Sequence, residues 1–364
     1  MPRFRQRGRA VAGALVTVSV SVVLSFVVAE TAFRAVGVGK SPEPSASAGR
    51  PAPGAPTRAG FLRCQRDSLV GWIFPPFAEG RFPSDHHPTP VRSDALGLRN
   101  STSVADDGGD VIRVLFLGDS YAFGWGVAEE EVFGRRVGEI LRTRHPGIPI
   151  RTVNAGIPGY SVFQQNALLD RILQDASIGV VVSSFSLAND PVDELRIRRF
   201  APDRLDEYRP TILDPNALLP KLIARSRVLS WAAGRTRPLQ FHVANGSGDA
   251  IRAACSSREN LAARCARENI PLLLVTIPRR TEVVGNAVMH RLSALTTRHC
   301  RGRLRRLTPA EGVRVVDVTG ALSRVPRPEE AYLANDRHWT ALGHQTVAEA
   351  VAREIPPEWI RQGR

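Results

Sequence analysis

The stretch VLFLGDSYAFGWGV (residues 114–127) joins an apolar run to the triplet Gly-Asp-Ser, and two more glycines follow at once. A continuous apolar run of this kind is typical of a strand that is buried on both faces. Glycine lets the backbone turn sharply and approach other groups closely. In a parallel α/β sheet, functional groups gather beyond the carboxyl ends of the strands. We therefore predict that Ser120 stands at such an end and takes part in chemistry.

The chain around this stretch alternates between apolar runs and segments with helical spacing. The predicted strands are 111–117, 148–154, 178–186, 271–277 and 313–319. The predicted helices are 129–145, 161–176 (with Ser161 as N-cap), 248–268, 285–303 and 340–354. Apolar strands separated by amphipathic helices predict an α/β protein with a central parallel sheet and helices on both faces, a three-layer α/β/α fold. Residues 191–247 break this rhythm and are interpreted as an insertion, and residues 61–109 as an irregular lead-in.

The N-terminus predicts a membrane anchor. Four arginines precede residues 10–29, which carry no charge. Twenty such residues are long enough to cross a bilayer core of about 30 Å, and the preceding basic residues place the N-terminus inside. A cleaved signal peptide ending at Ala29, which would give a secreted protein, is the alternative. We therefore divide the chain into a membrane anchor or signal segment (1–40), a Pro/Ala/Ser-rich linker (41–60) and an extracytoplasmic domain (61–364).

The formal net charge of +14 does not predict a nucleic-acid partner. Lysine occurs only at Lys40 and Lys221, and the many arginines are scattered, mostly beside acidic residues. A nucleic-acid surface instead clusters its basic residues on one face.

The sequence implies no metal and no cofactor. The chain has four cysteines but no Cys-x-x-C, so zinc and thioredoxin-like sites are unsupported. Disulfides and buried free thiols both remain open for these four, which are Cys64, Cys255, Cys265 and Cys300. The glycines around Trp125 do not have the dinucleotide-binding spacing, and the α/β-hydrolase motif G-x-S-x-G is absent.

A serine hydroxyl needs a base before it becomes a nucleophile. Of eight histidines, only His338 combines a carboxylate two residues earlier, Asp336, with a position just before the last helix. Asp336 can orient the imidazole and stabilise its cation, as in a Ser-His-Asp triad. An acyl-transfer site also needs donors for an oxyanion. The second strand ends in the glycines of VNAGIPGYS (153–161), and the third ends in LAND (187–190).

These four blocks, in order, resemble the SGNH (GDSL-type) hydrolase superfamily over residues 111–350. The lead-in VRSDALGLRN (91–100) and GDSYAFGWGVAEEE (118–131) resemble a membrane-anchored bacterial branch. The resemblance implies a flavodoxin-like sheet, with Ser120 as nucleophile, His338 as general base and Asp336 as its partner. It also implies an oxyanion hole formed by the Ser120 and Gly159 N–H groups and the Asn189 amide, with Gly156 as the alternative backbone donor.

The sequence departs from the family pattern at two positions. Leu187 stands where the third block usually has glycine, which leaves the local backbone shape open. Only Arg337 separates Asp336 from His338, where two residues are usual. The Asp-x-His-Trp form resembles the alginate O-acetylation relatives, which leaves the partner role of Asp336 open and makes a transferase an alternative.

Three functions are compatible with these residues. The first is a serine esterase that hydrolyses a small acyl ester, an O-acetyl group on a carbohydrate, through an acyl-Ser120 intermediate. The second is an O-acyltransferase for an extracytoplasmic polysaccharide, supplied by a membrane acyl-transfer partner. The third is a catalytically silent glycan-binding module. The substrate-contacting candidates are Trp125, Tyr160 and Trp339, with core packing as the alternative role for each.

Overall fold

The computed structural model describes only part of the chain. The described residues are 21, 25–35, 62, 64–82, 88–101, 111–198, 226, 228, 247–285, 287–306, 312–334 and 336–362. They fall into two units, of which the smaller combines chain from 1–50 and 211–241 and the larger combines 51–210 and 242–364.

The smaller unit has one described helical stretch, residues 25–35. Within this unit, the carboxylate of Glu30 accepts hydrogen bonds from the Ser226 hydroxyl (2.7 Å) and the Val228 N–H (3.0 Å). None of the helices in the described ranges combines the length and the apolar character that a membrane crossing requires. Most of the predicted transmembrane segment, the linker 41–60 and most of the predicted insertion lie outside the described residues. The anchor, the signal-peptide alternative and the domain boundaries therefore stay predictions.

The larger unit is built on a five-stranded parallel sheet, as the alternation of apolar runs predicts. In chain order its strands are β5 (Ile112–Gly118), β6 (Ile150–Gly156), β7 (Val180–Ser186), β8 (Leu272–Ile277) and β9 (Val313–Asp317). Their order in the sheet is β6-β5-β7-β8-β9, with every neighbouring pair parallel. From β5 the chain continues to β6 on one side of the sheet, and from β7 it continues to β8 and β9 on the other side. The strand order therefore reverses between β5 and β7. This reversal of strand order is the place where α/β sheets bind ligands.

Helices connect these strands and close both faces of the sheet. They are α1 (Ser120–Phe123), α2 (Phe133–Arg144), α3 (Val162–Asp175), α4 (Asp190–Ile197), α5 (Gly248–Arg267), α6 (Ala287–Arg305), α7 (Thr319–Ser323), α8 (Ala341–Glu354) and α9 (Pro357–Gln362). The boundaries of α2, α3, α5, α6 and α8 lie close to the predicted ones, whereas α1, α4, α7 and α9 were not predicted. Helix α4 occupies the start of the predicted insertion.

The core divides into two layers because successive strand side chains point to opposite faces. On β5, Leu115 and Leu117 join one cluster of buried side chains, together with residues of α3, α5 and α6. Val114 and Phe116 join the other cluster, together with residues of α2 and α8. The three-layer α/β/α arrangement thus follows from the two-sided burial of an unbroken apolar strand.

The lead-in is more regular than its sequence indicates. It forms two antiparallel hairpins, β1 (Gln65–Asp67) with β2 (Gly71–Ile73) and β3 (Glu79–Phe82) with β4 (Thr89–Arg92). Strands of three or four residues are too short to produce a recognisable alternation. Buried side chains of these hairpins, including Ile73 and Val91, complete the cluster on the α3 side of the sheet.

Candidate active site

Ser120, His338 and Asp336 form a continuous chain of hydrogen bonds. Ser120 begins α1, two residues beyond β5, and His338 lies in the loop before α8. The Ser120 Oγ lies 2.7 Å from His338 Nε2, although the two residues are 218 positions apart. On the other side of the ring, His338 Nδ1 lies 2.7 Å from Asp336 Oδ1. The structure thus brings together the three residues that the sequence pattern indicates.

The short Asp-x-His spacing suits this contact. The Asp336 carboxylate accepts the backbone N–H groups of Arg337 (2.5 Å) and His338 (3.1 Å). These bonds close a tight turn in which the carboxylate faces the imidazole of the same loop. One intervening residue is therefore sufficient for Asp336 to reach His338 Nδ1.

The electrostatics favour a neutral imidazole beside an ionised carboxylate. Burial lowers the pKa of His338 below its usual value, and the neighbouring Asp336 carboxylate opposes this effect only in part. Burial alone would raise the pKa of Asp336, but its hydrogen bonds with His338 and the backbone hold that pKa well below its usual range. At neutral pH, Nδ1–H then donates to Asp336 and Nε2 accepts from the Ser120 hydroxyl. This is the protonation state that a general base requires.

Two glycines allow the turn that presents Ser120. A Cβ on Gly118 would lie 2.0 Å from the Ser184 hydroxyl oxygen, and one on Gly156 would lie 2.2 Å from the Phe123 backbone nitrogen. The Asp119 side chain caps α1 by accepting the Tyr121 N–H at 3.0 Å. The segment 118–127 that carries Ser120 is called the nucleophile turn below. The ends of β5, β6 and β7 meet at its start, at distances that exclude a side chain on Gly118 or Gly156.

Arg99 holds the carboxyl end of this turn, a role that the sequence analysis missed. Its side chain is fully buried. Nη1 donates to the carbonyl oxygens of Phe123 (2.7 Å) and Gly124 (2.8 Å), and Nη2 donates to that of Val127 (2.7 Å). Carbonyl groups at a helix end lack partners within the helix, and a guanidinium satisfies several at once. The sequence pointed to Arg99 only through its place in VRSDALGLRN (91–100), the segment that resembles a bacterial branch of the SGNH superfamily.

Replacing Arg99 by methionine is expected to lower the free energy of unfolding by about 2–4 kcal/mol, because buried carbonyl groups lose charged donors. The turnover per folded molecule should fall as well, since Ser120 loses its support. Denaturant melts and initial rates with a chromogenic ester measure both effects. Arg92→Met is the matched control, because Arg92 is exposed and forms a surface ion pair with Glu79. Equal melting midpoints for the two variants would contradict the assigned role.

The three backbone N–H groups considered as oxyanion donors, those of Ser120, Gly156 and Gly159, differ in whether they already have an acceptor. The Gly156 N–H donates to the Asn154 side chain at 2.9 Å, so this alternative donor is occupied. Gly159 lies in an exposed turn with φ of 83°. Within the described residues, nothing accepts the N–H of Ser120 or of Gly159. Both groups are thus available, and their oxyanion role stays a prediction.

Asn189 is more constrained than its predicted role implies. Its Nδ2 lies 3.1 Å from Asp190 Oδ1, 3.0 Å from Asp193 Oδ2 and 3.4 Å from Asp119 Oδ2. Its Oδ1 accepts the Ser186 hydroxyl at 2.9 Å. Burial and the nearby Asp119 raise the pKa of Asp190 well above its usual value. Since an amide has only two hydrogens, Asn189 must release a carboxylate before it can donate to an oxyanion.

Leu187, the departure from the third block, causes no backbone strain. Its backbone φ angle is not positive, so the position does not require glycine. Its side chain is buried, and its carbonyl accepts the Arg279 Nε–H at 3.0 Å. The loop that carries Asn189 is therefore anchored by the chain after β8.

The structure separates the three aromatic candidates for substrate contact. Trp339 and Tyr160 are fully buried, which agrees with the core-packing alternative, and their contact with substrate stays a prediction. Trp339 packs against Tyr121 at 4.6 Å between ring centroids, and the Tyr160 hydroxyl donates to the Trp72 carbonyl at 2.5 Å. Trp125 is partly exposed and stacks on His338. Of the three candidates, Trp125 is the one whose ring contacts His338 in the described part of the chain.

The four cysteines are free thiols in the structure. Burial raises the pKa of Cys64, Cys265 and Cys300 to about 12 in each case. Such thiols are protonated at neutral pH and are poor nucleophiles. Within the described ranges, no group of three or more His, Cys, Asp and Glu side chains is arranged to hold a metal.

Comparison with known families gives one match. Residues 240–363 match the family described as ALGX: SGNH hydrolase-like domain, acetyltransferase AlgX. The match covers about a third of the chain and includes Asp336 and His338, but not Ser120. It supports the resemblance to the SGNH hydrolase superfamily. No curated protein sequence matches the chain.

Solved structures show a distant likeness. LAE5, an α/β hydrolase enzyme from the metagenome of Lake Arreo, Spain, is 18% identical with a TM-score of 0.41, over 66% of this chain and 92% of its own. A catalytic mutant of the acetylxylan esterase Axe2 from Geobacillus stearothermophilus is 18% identical with a TM-score of 0.41, over 68% and 95%. The lipase Lip_vut3 from a goat rumen metagenome is 13% identical with a TM-score of 0.38, over 66% and 96%. Likenesses this distant carry no argument about activity.

Proposed function

We propose that the protein is a serine esterase that removes a small acyl group, an O-acetyl group on a carbohydrate, through an acyl-Ser120 intermediate. The observation that carries the proposal is the hydrogen-bonded chain from Ser120 through His338 to Asp336. A buried serine that faces a neutral imidazole, itself oriented by an ionised carboxylate, is the arrangement that makes a hydroxyl nucleophilic.

In the proposed reaction, His338 Nε2 takes the proton of the Ser120 hydroxyl while Oγ bonds to the ester carbonyl carbon. The negative charge on the carbonyl oxygen is met by the backbone N–H groups of Ser120 and Gly159. Asp336 stabilises the imidazolium that forms. His338 then gives its proton to the leaving alcohol oxygen as the ester bond breaks, and the acyl group stays on Ser120. Water repeats these steps to release the acid.

An O-acyltransferase is the second candidate, and the match of residues 240–363 to an acetyltransferase family favours it. A sugar hydroxyl would then replace water in the second half of the reaction. Both reactions use the same nucleophile, base and donors. Outside the membrane, where acetyl-CoA is absent, the acyl group would come from a membrane acyl-transfer partner. The extracytoplasmic location and the membrane tether belong to this proposal as well.

The test compares the full-length protein with Ser120→Ala, using p-nitrophenyl acetate with and without an oligosaccharide acceptor. Nitrophenol release and the mass of the sugar are followed together. Ser68→Ala, in the exposed turn between β1 and β2, is the matched control. Nitrophenol release that depends on Ser120 and leaves the sugar unchanged would support the esterase. Acetylated sugar formed in place of free acetate would establish the transferase. Equal rates for the wild type and Ser120→Ala would overturn both.

A further inference from the structure

The His338 imidazole is in contact with two aromatic rings. Trp125 stacks on it, with 5.1 Å between the ring centroids and 20° between the planes. Tyr121 lies at 5.0 Å and is tilted by 49°. The Tyr121 hydroxyl also donates to the carbonyl of Arg337 at 2.9 Å, which ties the loop of His338 to the turn of Ser120. The ring is thus held by side chains that come from the nucleophile turn.

Trp125 is itself fixed by that turn. Its backbone N–H donates to the Ser120 carbonyl at 3.1 Å, and its indole meets Phe82 edge-on at 5.5 Å. The indole Nε1–H is buried without an acceptor in the described part of the chain. A phenylalanine would fill much of the same space without this unsatisfied donor. Packing alone therefore does not account for an indole at this position.

The proposed reaction requires His338 to become positive while it is buried. Asp336 and, more remotely, Asp119 favour the positive ring, whereas burial and Arg337 oppose it. The other titratable groups near the ring, Tyr121 and His344, are neutral at pH 7, because burial raises the pKa of Tyr121 well above its usual value and lowers that of His344 to about 3. The face of an indole attracts a cation more strongly than other aromatic faces. A stacked Trp125 therefore supplies attraction where water is excluded.

We propose that Trp125 is a positioning residue that holds the His338 ring toward Ser120 and stabilises its protonated form during acyl transfer. The inference rests on the proposed function. The indole acts when Nε2 has received the Ser120 proton and Oγ has bonded to the acyl carbon. The stabilisation ends when that proton passes to the leaving oxygen. Trp125 thus serves the base of the reaction, in place of the substrate contact that the sequence predicted for it.

The test measures the His338 pKa directly, by NMR titration of the imidazole signals in the full-length protein. His338→Gln identifies the signal, and Trp125→Leu and Trp125→Phe change the stacked face. Loss of the cation–π attraction is expected to lower the His338 pKa by about 0.4–1 unit in Trp125→Leu and by less in Trp125→Phe. The acid limb of the kcat/KM profile should move to lower pH by the same amount. Phe77→Leu, which alters a highly exposed ring, should move neither.

The sign of the shift decides between two physical roles. If the indole only excludes water, its removal hydrates the imidazolium and raises the His338 pKa, which would overturn the proposal, as would no shift at all. If Trp125→Leu fails to fold, the direction of the shift in Trp125→Phe decides. The NMR readout does not depend on turnover. Failure of the proposed function would instead appear as wild-type activity that does not depend on Ser120.

Discussion

The Ser120→Ala variant is expected to lose at least about 10⁴-fold in kcat with a chromogenic acetyl ester, while it remains folded. Removing the nucleophile of a triad leaves only the catalysis that donors and binding supply, and losses of this size or larger are typical. The hydroxyl makes its hydrogen bond to His338, and its replacement by a hydrogen leaves the backbone of the turn unchanged. Initial rates at saturating substrate measure the loss.

The stability of Ser120→Ala separates a chemical role from a structural one. The variant gives up one hydrogen bond, worth about 1 kcal/mol, so its thermal midpoint should stay within about 4 °C of the wild type. Ser68→Ala should match the wild type in both rate and midpoint. A folded Ser120→Ala protein that retains its rate would show that another group attacks the ester.

The Asp336→Asn variant is expected to lose about 10⁴-fold in kcat/KM, and His338→Ala is expected to lose more. Asparagine keeps the shape of the side chain but lacks the charge that stabilises the imidazolium. Its amide can also turn toward Nδ1, which selects the tautomer whose Nε2 cannot accept the serine proton. Rates for both variants and the wild type, measured between pH 5 and pH 9, test this order.

The pH profile of Asp336→Asn follows from the sign of the electrostatic effect. The Asp336 carboxylate raises the His338 pKa against the effect of burial. Without the charge, the pKa of the imidazole falls, and the residual activity should persist to lower pH than in the wild type. A near-wild-type rate, or an acid limb that moves to higher pH, would mean that another group orients the imidazole.

The sequence alone was sufficient for the central sheet of the larger unit and the layers of helices on its two faces. Unbroken apolar strands must be covered on both faces, so their alternation with amphipathic helices leaves few arrangements other than a parallel sheet in three layers. The same pattern placed Ser120 at a strand end, because glycine at position 118 marked a sharp exit. Asp336 and His338 were found because they are close in sequence and stand before a helix.

Other features of the site depend on contacts between residues far apart in the chain, which a local pattern does not carry. The fully buried Arg99 binds carbonyl groups of the nucleophile turn, although nothing in the surrounding residues marks it as buried. For Trp339 and Tyr160 the sequence left substrate contact and core packing as alternatives, because large aromatic side chains near motif residues occur both in binding sites and in cores. Only packing distinguishes the two cases.

The sequence determined which groups stand at the edge of the sheet, because strand ends and motif order are local properties. The tertiary structure decided what those groups are free to do. It joins Ser120 to His338 and turns the Asn189 amide toward buried carboxylates, while no described residue accepts the Ser120 or Gly159 N–H. It also stacks Trp125 on His338. The physical reason is that protonation, hydrogen-bond capacity and burial depend on the neighbours in space.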